Sequence, residues 1–569
     1  GAGAASRGRQ PPRGPGGAAR ACRRNIRTGF FPEDPDYMDP EIPLFADPIN
    51  ARWRHMDDPA LRAPVLERSN VGMGMLVLNR PKGLDLPTIN QLYTRLRNLE
   101  VNSLKRFVGL AAAEPGPFCV GLDPAELLLA STSAMRRGRL PRFSRALLWH
   151  SQELAHLVAD FRKPLVCHIS GLASDGGAAL GCLASHSGAH ADAEVSVDAC
   201  FAGLVPSGGM THVLARLLWS LGEFLALTGW PVRGADLVYG GLVRHWQSPE
   251  ALPFLELTAE KQLEVSEADA RALLDEHSLP LPEGISEADA MALQDEHSLP
   301  LPEGMDSVQQ ALAYRAFSLR PPWDQSPLLR ETLLCSGVLP LVHRAFSKGG
   351  VNEILQELTK MRSDSSALAR DFATECLDRM SRASPLALHA TLHLIRTARQ
   401  KLQQEVVAPG AAVLGARGVE GSLTAALRLE LRAQQRLLNT EDAARGLHAR
   451  CLGREVRAGE WSRPSIDSVI REDVEHIVDR EPVASEGETA DFAVMPRAEF
   501  SLSTHPRLRR YHPDYNEETG LDHDPQWMAA EQRRWSPDLF AEERLAAMRE
   551  LLSREDPARC GLSRWTRVE

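Results

Sequence analysis

The residues of this 569-residue chain whose types and spacing suggest chemistry gather between Lys163 and Gly209. A β-run from Pro164 to Ser170 breaks at a glycine-bearing turn, Gly171 to Gly177, and a small-residue helix over Ala178 to His186 is expected to follow. Such a strand, loop and helix unit leaves backbone amides exposed where the helix starts, and amides there attract an anion. The plainer reading is a tight turn that packs a helix onto a sheet, and on the turn alone that reading wins. Further along, Ser207 and His212 stand five residues apart. They offer a nucleophile and a base, yet a serine and a histidine at that separation arise by chance everywhere. The nine cysteines form no C-x-x-C pair, which argues for reduced thiols and against a zinc knuckle or a secreted scaffold.

The flanks give the stretch its meaning. Val71 to Lys82 reads VGMGMLVLNRPK, Phe107 to Asp123 reads FVGLAAAEPGPFCVGLD, and Phe224 to Gly229 reads FLALTG. With the KP strand at Lys163, the GL-x-P-x-x-G run from Gly203 and the SP-x-x-L run from Ser384, these stretches resemble the crotonase (enoyl-CoA hydratase/isomerase) superfamily. In detail they resemble its 3-hydroxyisobutyryl-CoA hydrolase branch, from about Val71 to about Pro482. The resemblance implies an α/β fold, a crotonase-like ββα spiral core followed by a mostly helical C-terminal region, with extended N- and C-terminal arms. It implies an oxyanion hole of two backbone N–H groups for a thioester carbonyl. One is on Leu122, after Gly121, and the other on Gly176 of the Asp175–Gly176–Gly177 triplet. Asp175 sets a carboxylate beside a pocket meant to hold negative charge, and works against it.

The same resemblance places the family's acid/base groups at Ala199, four residues before Gly203, at Ser207, four residues after it, and at Ala179 on the helix. Alanine can neither hold nor move a proton, and Ser207 needs a partnered base to act as a nucleophile. Asp198 adjoins one empty position, but a one-residue slip in a strand turns the side chain to the opposite face. The sequence therefore assigns no catalytic residue. Ala179, Ala199 and Ser207 are degenerate positions, and Leu122 and Gly176 form a vestigial oxyanion hole. No cofactor or metal is expected, although a vestigial CoA pocket is compatible with the scaffold.

The elements that must position these residues follow from periodicity. Strands such as Gly72 to Leu78 and Phe107 to Ala113 alternate with amphipathic helices such as Pro87 to Leu99, the pattern of a largely parallel α/β sheet. Five regions are expected: a basic, then proline-rich extended arm (1–60), the core (61–260), a tandem-repeat loop (261–305), a helical part (306–482) and an extension with a terminal helix (483–569). In the helical part, Asn352 to Met361, Ser365 to Met380, Ser384 to Arg399 and Gly421 to Leu438 carry apolar residues at three and four spacing. The terminal helix is announced by Ser536 and Pro537, with Leu539, Phe540, Leu545, Met548, Leu551 and Leu552 as its stripe. An extension without its own core is expected to find one on a partner. Arg136, Arg137, Arg139, Arg142 and Arg145 make Ala130 to Arg145 basic. A solvated face is the default there, and acyl-CoA or RNA phosphate the alternative.

Composition bounds the function. A charged share of 25% and a hydrophobic share of 43% are those of a globular protein. The net charge of −10 gives no global reason to expect nucleic acid. No apolar run is long enough to span a membrane. Residues 1–28 depart from the average: Arg7, Arg9, Arg13, Arg20, Arg23, Arg24 and Arg27 stand there with no acid. The plain reading is a solvated tail, and two functional readings compete with it: a mitochondrial targeting segment, or an arm on nucleic-acid phosphate such as that of rRNA. Hydrolase-like members of the branch are components of the mitochondrial ribosomal small subunit, and the resemblance extends to them. A structural, catalytically inactive subunit in the mitochondrial matrix, bound to ribosomal proteins and rRNA through its extensions, is thus expected. The alternative is a mitochondrial 3-hydroxyisobutyryl-CoA hydrolase of valine catabolism.

Overall fold

A computed structural model describes residues 64–247 (apart from 70–71, 80–82, 114–115, 191, 218 and 235), 338–407, 421–481, and 534, 536 and 539–554. The basic arm, the tandem repeat and most of the C-terminal extension lie outside these residues. In the core the order is β1 (Val65–Ser69), β2 (Met73–Leu78), α1 (Leu86–Val101), β3 (Phe107–Ala112), α2 (Pro124–Arg137), α3 (Arg142–Ala159), β4 (Leu165–Ile169) and β5 (Leu172–Ser174). It continues through α4 (Asp175–Leu183), β6 (His186–Ala189), β7 (Glu194–Ser196), a 3-10 turn (Ala199–Ala202), α5 (Met210–Ala215), α6 (Leu221–Thr228), β8 (Val232–Arg233), α7 (Asp236–Tyr239) and β9 (His245–Trp246).

The main sheet has six strands in the order β1-β2-β3-β4-β6-β9, with only β1 antiparallel to its neighbour. Every residue of β2, β3 and β4 is buried, which is why these strands read as continuous apolar runs rather than alternating ones. A second sheet, β5-β7-β8, stands beside it. The parallel bridge of Cys119 to Ala173 ties the chain after β3 to β5. Repeated strand, strand and helix turns of this kind are the crotonase fold.

Aspartates set the helix starts. Asp85 accepts from the Thr88 N–H at 2.9 Å ahead of α1, and Asp123 from the Ala125 N–H at 2.8 Å ahead of α2. After the core come α8 (Leu339–Phe346), α9 (Val351–Met361), α10 (Ala367–Arg382), α11 (Pro385–Val407), α12 (Ser422–Leu437), α13 (Glu441–Cys451), a 3-10 turn (Ile466–Ser468), α14 (Arg471–Val478) and α15 (Ala541–Arg554). One continuous apolar cluster runs from Val65 of β1 to Val478 of α14, so the helical part shares its core with the spiral.

Three expectations are corrected. The turn from Gly171 to Gly177 is not a loop: it holds β5, and α4 starts at Asp175 and ends at Leu183, with His186 already in β6. The terminal helix starts at Ala541, not at Ser536. The Ser536 carbonyl instead accepts from Asn90 Nδ2 at 2.7 Å, and Phe540 sits at a φ of 58°, a conformation that breaks a helix. Lastly, the described part of the extension finds its core on its own chain: Ala547 and Phe540 pack on Ala125 and Leu129 of α2 and Phe143 of α3.

Candidate functional site

The candidate site lies where the end of β5, the start of α4 and the 3-10 turn meet. Gly121 has a φ of 80° and Leu84 bridges Leu122, using the Gly121 carbonyl and the Asp123 N–H. The Leu122 N–H stays outside that bridge. A Cβ added to Gly121 would stand 3.5 Å from the Gly176 nitrogen and 3.6 Å from the Asp175 Cβ. The backbone around Leu122 and the first turn of α4 are therefore neighbours, and Gly176, as a first-turn residue, has an N–H without an intrahelical acceptor.

The three positions expected to be degenerate surround this pair. Ser207 packs on Gly176: a Cβ added there would meet the Ser207 carbonyl at 3.3 Å and its Oγ at 3.5 Å. Ala199 opens the 3-10 turn, and its N–H donates to Asp175 Oδ1 at 3.2 Å. Ala179 is fully buried one turn along α4 from Asp175, on the same helix face. The fold thus brings together Leu122, Gly176, Ala179, Ala199 and Ser207. It does not join Ser207 to His212: no hydrogen bond links them among the described residues. Burial, and then Arg216, hold the His212 imidazole down to about 4, which makes it a weak base.

Two carboxyls stand in the same place. Asp175 is buried and, although not glycine, has a φ of 45°. Its side chain hydrogen-bonds Asp198, which also accepts from Ser174 Oγ at 3.2 Å and forms an ion pair with Arg450 of α13. Burial and the neighbouring Asp198 charge push the Asp175 carboxyl well above the carboxylate range. Burial opposes charge on Asp198 too, but the Arg450 guanidinium outweighs it, with hydrogen bonds from Asp175, Arg450 and Ser174, and holds Asp198 down to about 2. Two carboxyls this close cannot both ionise cheaply, so they share one proton, with Asp175 the acid and Asp198 the anion. The slip that would set Asp198 in the place of Ala199 does not occur, since Asp198 is turned to Arg450.

Sequence reasoning missed Arg450 and Glu430. Arg450 lies 252 positions from Asp198, and no local signal links them. Glu430 of α12 is wholly buried and accepts from the Gly209 and Thr211 N–H groups at 2.8 and 2.9 Å. It thereby caps α5 and fixes the turn that carries Ser207. Burial pushes its carboxyl up to about 7 against those hydrogen bonds. Glu441 to Gly446, EDAARG, form the start of α13, which lies against the 3-10 turn: Cβ atoms on Gly203 and Gly446 would meet the Asp442 and Ala202 backbones at 2.7 and 2.4 Å.

The basic stretch after α2 meets protein. Arg136 and Arg137 lie 3.5 and 3.6 Å from Glu550 of α15, and the Arg142 N–H donates to Glu543 at 3.2 Å. Among the described residues no group of three or more His, Cys, Asp and Glu is placed to hold a metal, and no helix is long and apolar enough to cross a membrane. Among the described residues six cysteines are buried and form no disulfide, and burial pushes thiols such as Cys119 up to about 12.

Comparison with known proteins agrees with the fold and the motifs. The family model described as enoyl-CoA hydratase/isomerase matches residues 73–313 and 324–478. The mitochondrial 3-hydroxyisobutyryl-CoA hydrolase of Homo sapiens is 25% identical over 411 residues, 70% of this chain and 84% of that protein. That of Danio rerio is 26% identical over 337 residues, 58% of this chain and 73% of that protein. Among solved structures, a carnitinyl-CoA dehydratase from Mycobacterium thermoresistibile superposes with a TM-score of 0.55 at 20% identity, covering 76% of this chain and 99% of that one. The chain belongs to the enoyl-CoA hydratase/isomerase family and is homologous to its 3-hydroxyisobutyryl-CoA hydrolases.

Proposed function

We propose that this protein is a structural, non-catalytic component of the mitochondrial ribosomal small subunit, which keeps the hydrolase scaffold and uses its extensions to hold neighbouring proteins and rRNA. One observation carries the inactive half of the reading. The positions around the Leu122 and Gly176 donors where proton carriers would stand are Ala179, Ala199 and Ser207, and the two carboxyls present bond each other and Arg450. A general acid or base must reach the proton it moves, and here both are engaged in holding α4, the 3-10 turn and α13 together. The ribosomal half rests on the seven arginines and absent acids of residues 1–28, a composition suited to phosphate. The mitochondrial names of its relatives support the compartment, and the matrix is part of the proposal.

A second reading is a mitochondrial 3-hydroxyisobutyryl-CoA hydrolase with relocated groups. It is favoured by the shared proton of Asp175 and Asp198, since an acid and a base side by side are the parts such chemistry needs. Two measurements decide. Sedimentation of native mitochondrial extract should carry the protein with the small subunit at moderate salt, and the purified chain should release no thiol from 3-hydroxyisobutyryl-CoA. Thiol release that disappears in Asp198→Asn overturns the proposal in favour of the hydrolase.

A further inference from the structure

Beyond residue 478, where the family match ends, the chain returns to the core and builds something new there. Arg534 forms an ion pair with Glu153 of α3, and Arg544 Nε donates to Glu126 of α2 at 2.8 Å. Both glutamates are 8% exposed, so these anchors are buried pairs of fixed geometry rather than surface contacts. Between the anchored segment and the first half of α3 lies a pocket of about 390 Å³ lined by Arg142, Arg145, Trp149, His150, Arg534 and Phe540. That volume is in the range of small-molecule sites, ~300–1,000 Å³.

The lining has a definite chemistry. Arg534 is neutralised by Glu153, but among the described residues neither the Arg142 nor the Arg145 guanidinium meets a carboxylate. The buried Nε of Arg145 has no hydrogen-bond partner there. Burial, and then Arg534, hold His150 down to about 3, so the positive charge of the pocket is that of its arginines. Aromatic faces come from two separate elements, Trp149 of α3 and Phe540 of the C-terminal segment. Phe540 is fixed by packing against α2 and α3 in a left-handed conformation that a bulky residue rarely adopts, and Arg142 sits 5.1 Å above its ring. Guanidinium groups recognise phosphate oxygens, and aromatic faces stack on bases.

We propose that this pocket binds a nucleotide unit, its phosphate on Arg142 and Arg145 and its base against Trp149 and Phe540. An inorganic anion would use the arginines and leave the rings idle; an acyl chain would use the rings and leave two cations idle. The site does not depend on the ribosomal reading, because a free nucleotide and a nucleotide within single-stranded RNA present the same phosphate and base.

The test uses the full-length protein and calorimetric titration with AMP, inorganic phosphate and a short oligo(A) RNA. AMP should bind, with phosphate at least about tenfold weaker. Arg145→Gln and Arg142→Gln should each weaken AMP by about tenfold or more, the loss expected for a charge-assisted bond. Phe540→Leu should weaken AMP but not phosphate. Arg457→Gln, at an exposed position, should change nothing. If the two pocket variants also weaken the oligomer, and it binds the wild type over tenfold more tightly than AMP, the source is an RNA strand; equal affinities make it a free nucleotide. No AMP binding at millimolar concentration, phosphate binding as tight as AMP, or unchanged affinity in both arginine variants overturns the proposal. None of these outcomes touches the sedimentation result, so the two readings fail separately.

Discussion

Replacing Asp175 by Asn tests the shared proton directly. The Asp175 carboxyl is held well above its ordinary range, by burial first and by the Asp198 charge second. Between its unfolded value, about 4, and its folded one, the folded chain keeps a proton that the unfolded chain has released. Folding takes up that proton, so this contribution to stability falls as pH rises, by up to about 1.4 kcal/mol per pH unit. Asp198 has the opposite sign. Its carboxyl is held down to about 2, so its contribution is complete above the unfolded value of about 4 and is lost as pH falls towards 2. Above pH 5, therefore, only Asp175 of the two makes stability depend on pH. Asparagine keeps an oxygen to accept from the Ala199 N–H and an amide to donate to Asp198, but has no proton to take up. Relative to wild type, Asp175→Asn should gain up to about 2.7 kcal/mol between pH 5 and pH 7. Urea titrations of both proteins at pH 5, 6 and 7 and constant ionic strength measure this. If the difference between them is the same at all three values, Asp175 is already ionised when folded. The pair then shares no proton.

Other perturbations follow from the packing. Arg544→Met leaves Glu126 buried without its partner and should cost about 3 kcal/mol, while Glu126→Gln with Arg544→Met should recover at least half, in the same titrations. Additive losses would show that the pair is not coupled. Gly446→Ala puts a methyl 2.4 Å from the Ala202 backbone and should cost about 2–3 kcal/mol by lifting α13 from the 3-10 turn. Gly453→Ala, with a φ of 65° but open space, should cost only about 1 kcal/mol. Equal losses would mean that the close approach of α13 contributes nothing.

The fold was legible because its strands are buried on both faces. Apolar runs such as Phe107 to Ala112 are too short for a buried helix and suit a strand covered on both sides, and the helices around them carry an apolar residue every third or fourth position. The start of α4 was not legible, because it is written in residues that argue against helix: an aspartate with a positive φ followed by two glycines. What compensates is tertiary. Asp175 bonds Ala199 and Asp198, and Gly177 lets Cys119 approach so closely that a Cβ would fall 2.2 Å from its carbonyl oxygen. The terminal helix was misplaced for the same kind of reason. Ser536 and Pro537 form a sound local start signal, but the Ser536 carbonyl is drawn to Asn90 and Phe540 turns the chain before helix begins. Of the site, the positions of Leu122, Gly176, Ala179, Ala199 and Ser207 came from the family resemblance of the motifs. Arg450 and Glu430, which decide its electrostatics, come from helices more than two hundred residues away.

The turn and the side chains around it stand under different constraints. The glycines of the turn are needed by packing whether or not a thioester is ever bound: Gly177 against Cys119, Gly176 against Ser207 and Gly121 at its positive φ. A donor pair built from such a turn persists as long as the fold does, so its presence is weak evidence of chemistry. Side chains at 179, 199 and 207 are not held to one identity by a positive φ or a backbone approach of that kind, and alanine and serine stand there buried. Their identity reports on function, and the backbone reports on fold. The Asp175, Asp198 and Arg450 cluster goes further. It spends carboxyl groups on linking the first turn of α4 to α13, at the point where a working site would have to keep them available to substrate. Pairing of this kind makes the cluster a clasp between the spiral and the helical part, and it supports the non-catalytic reading proposed above.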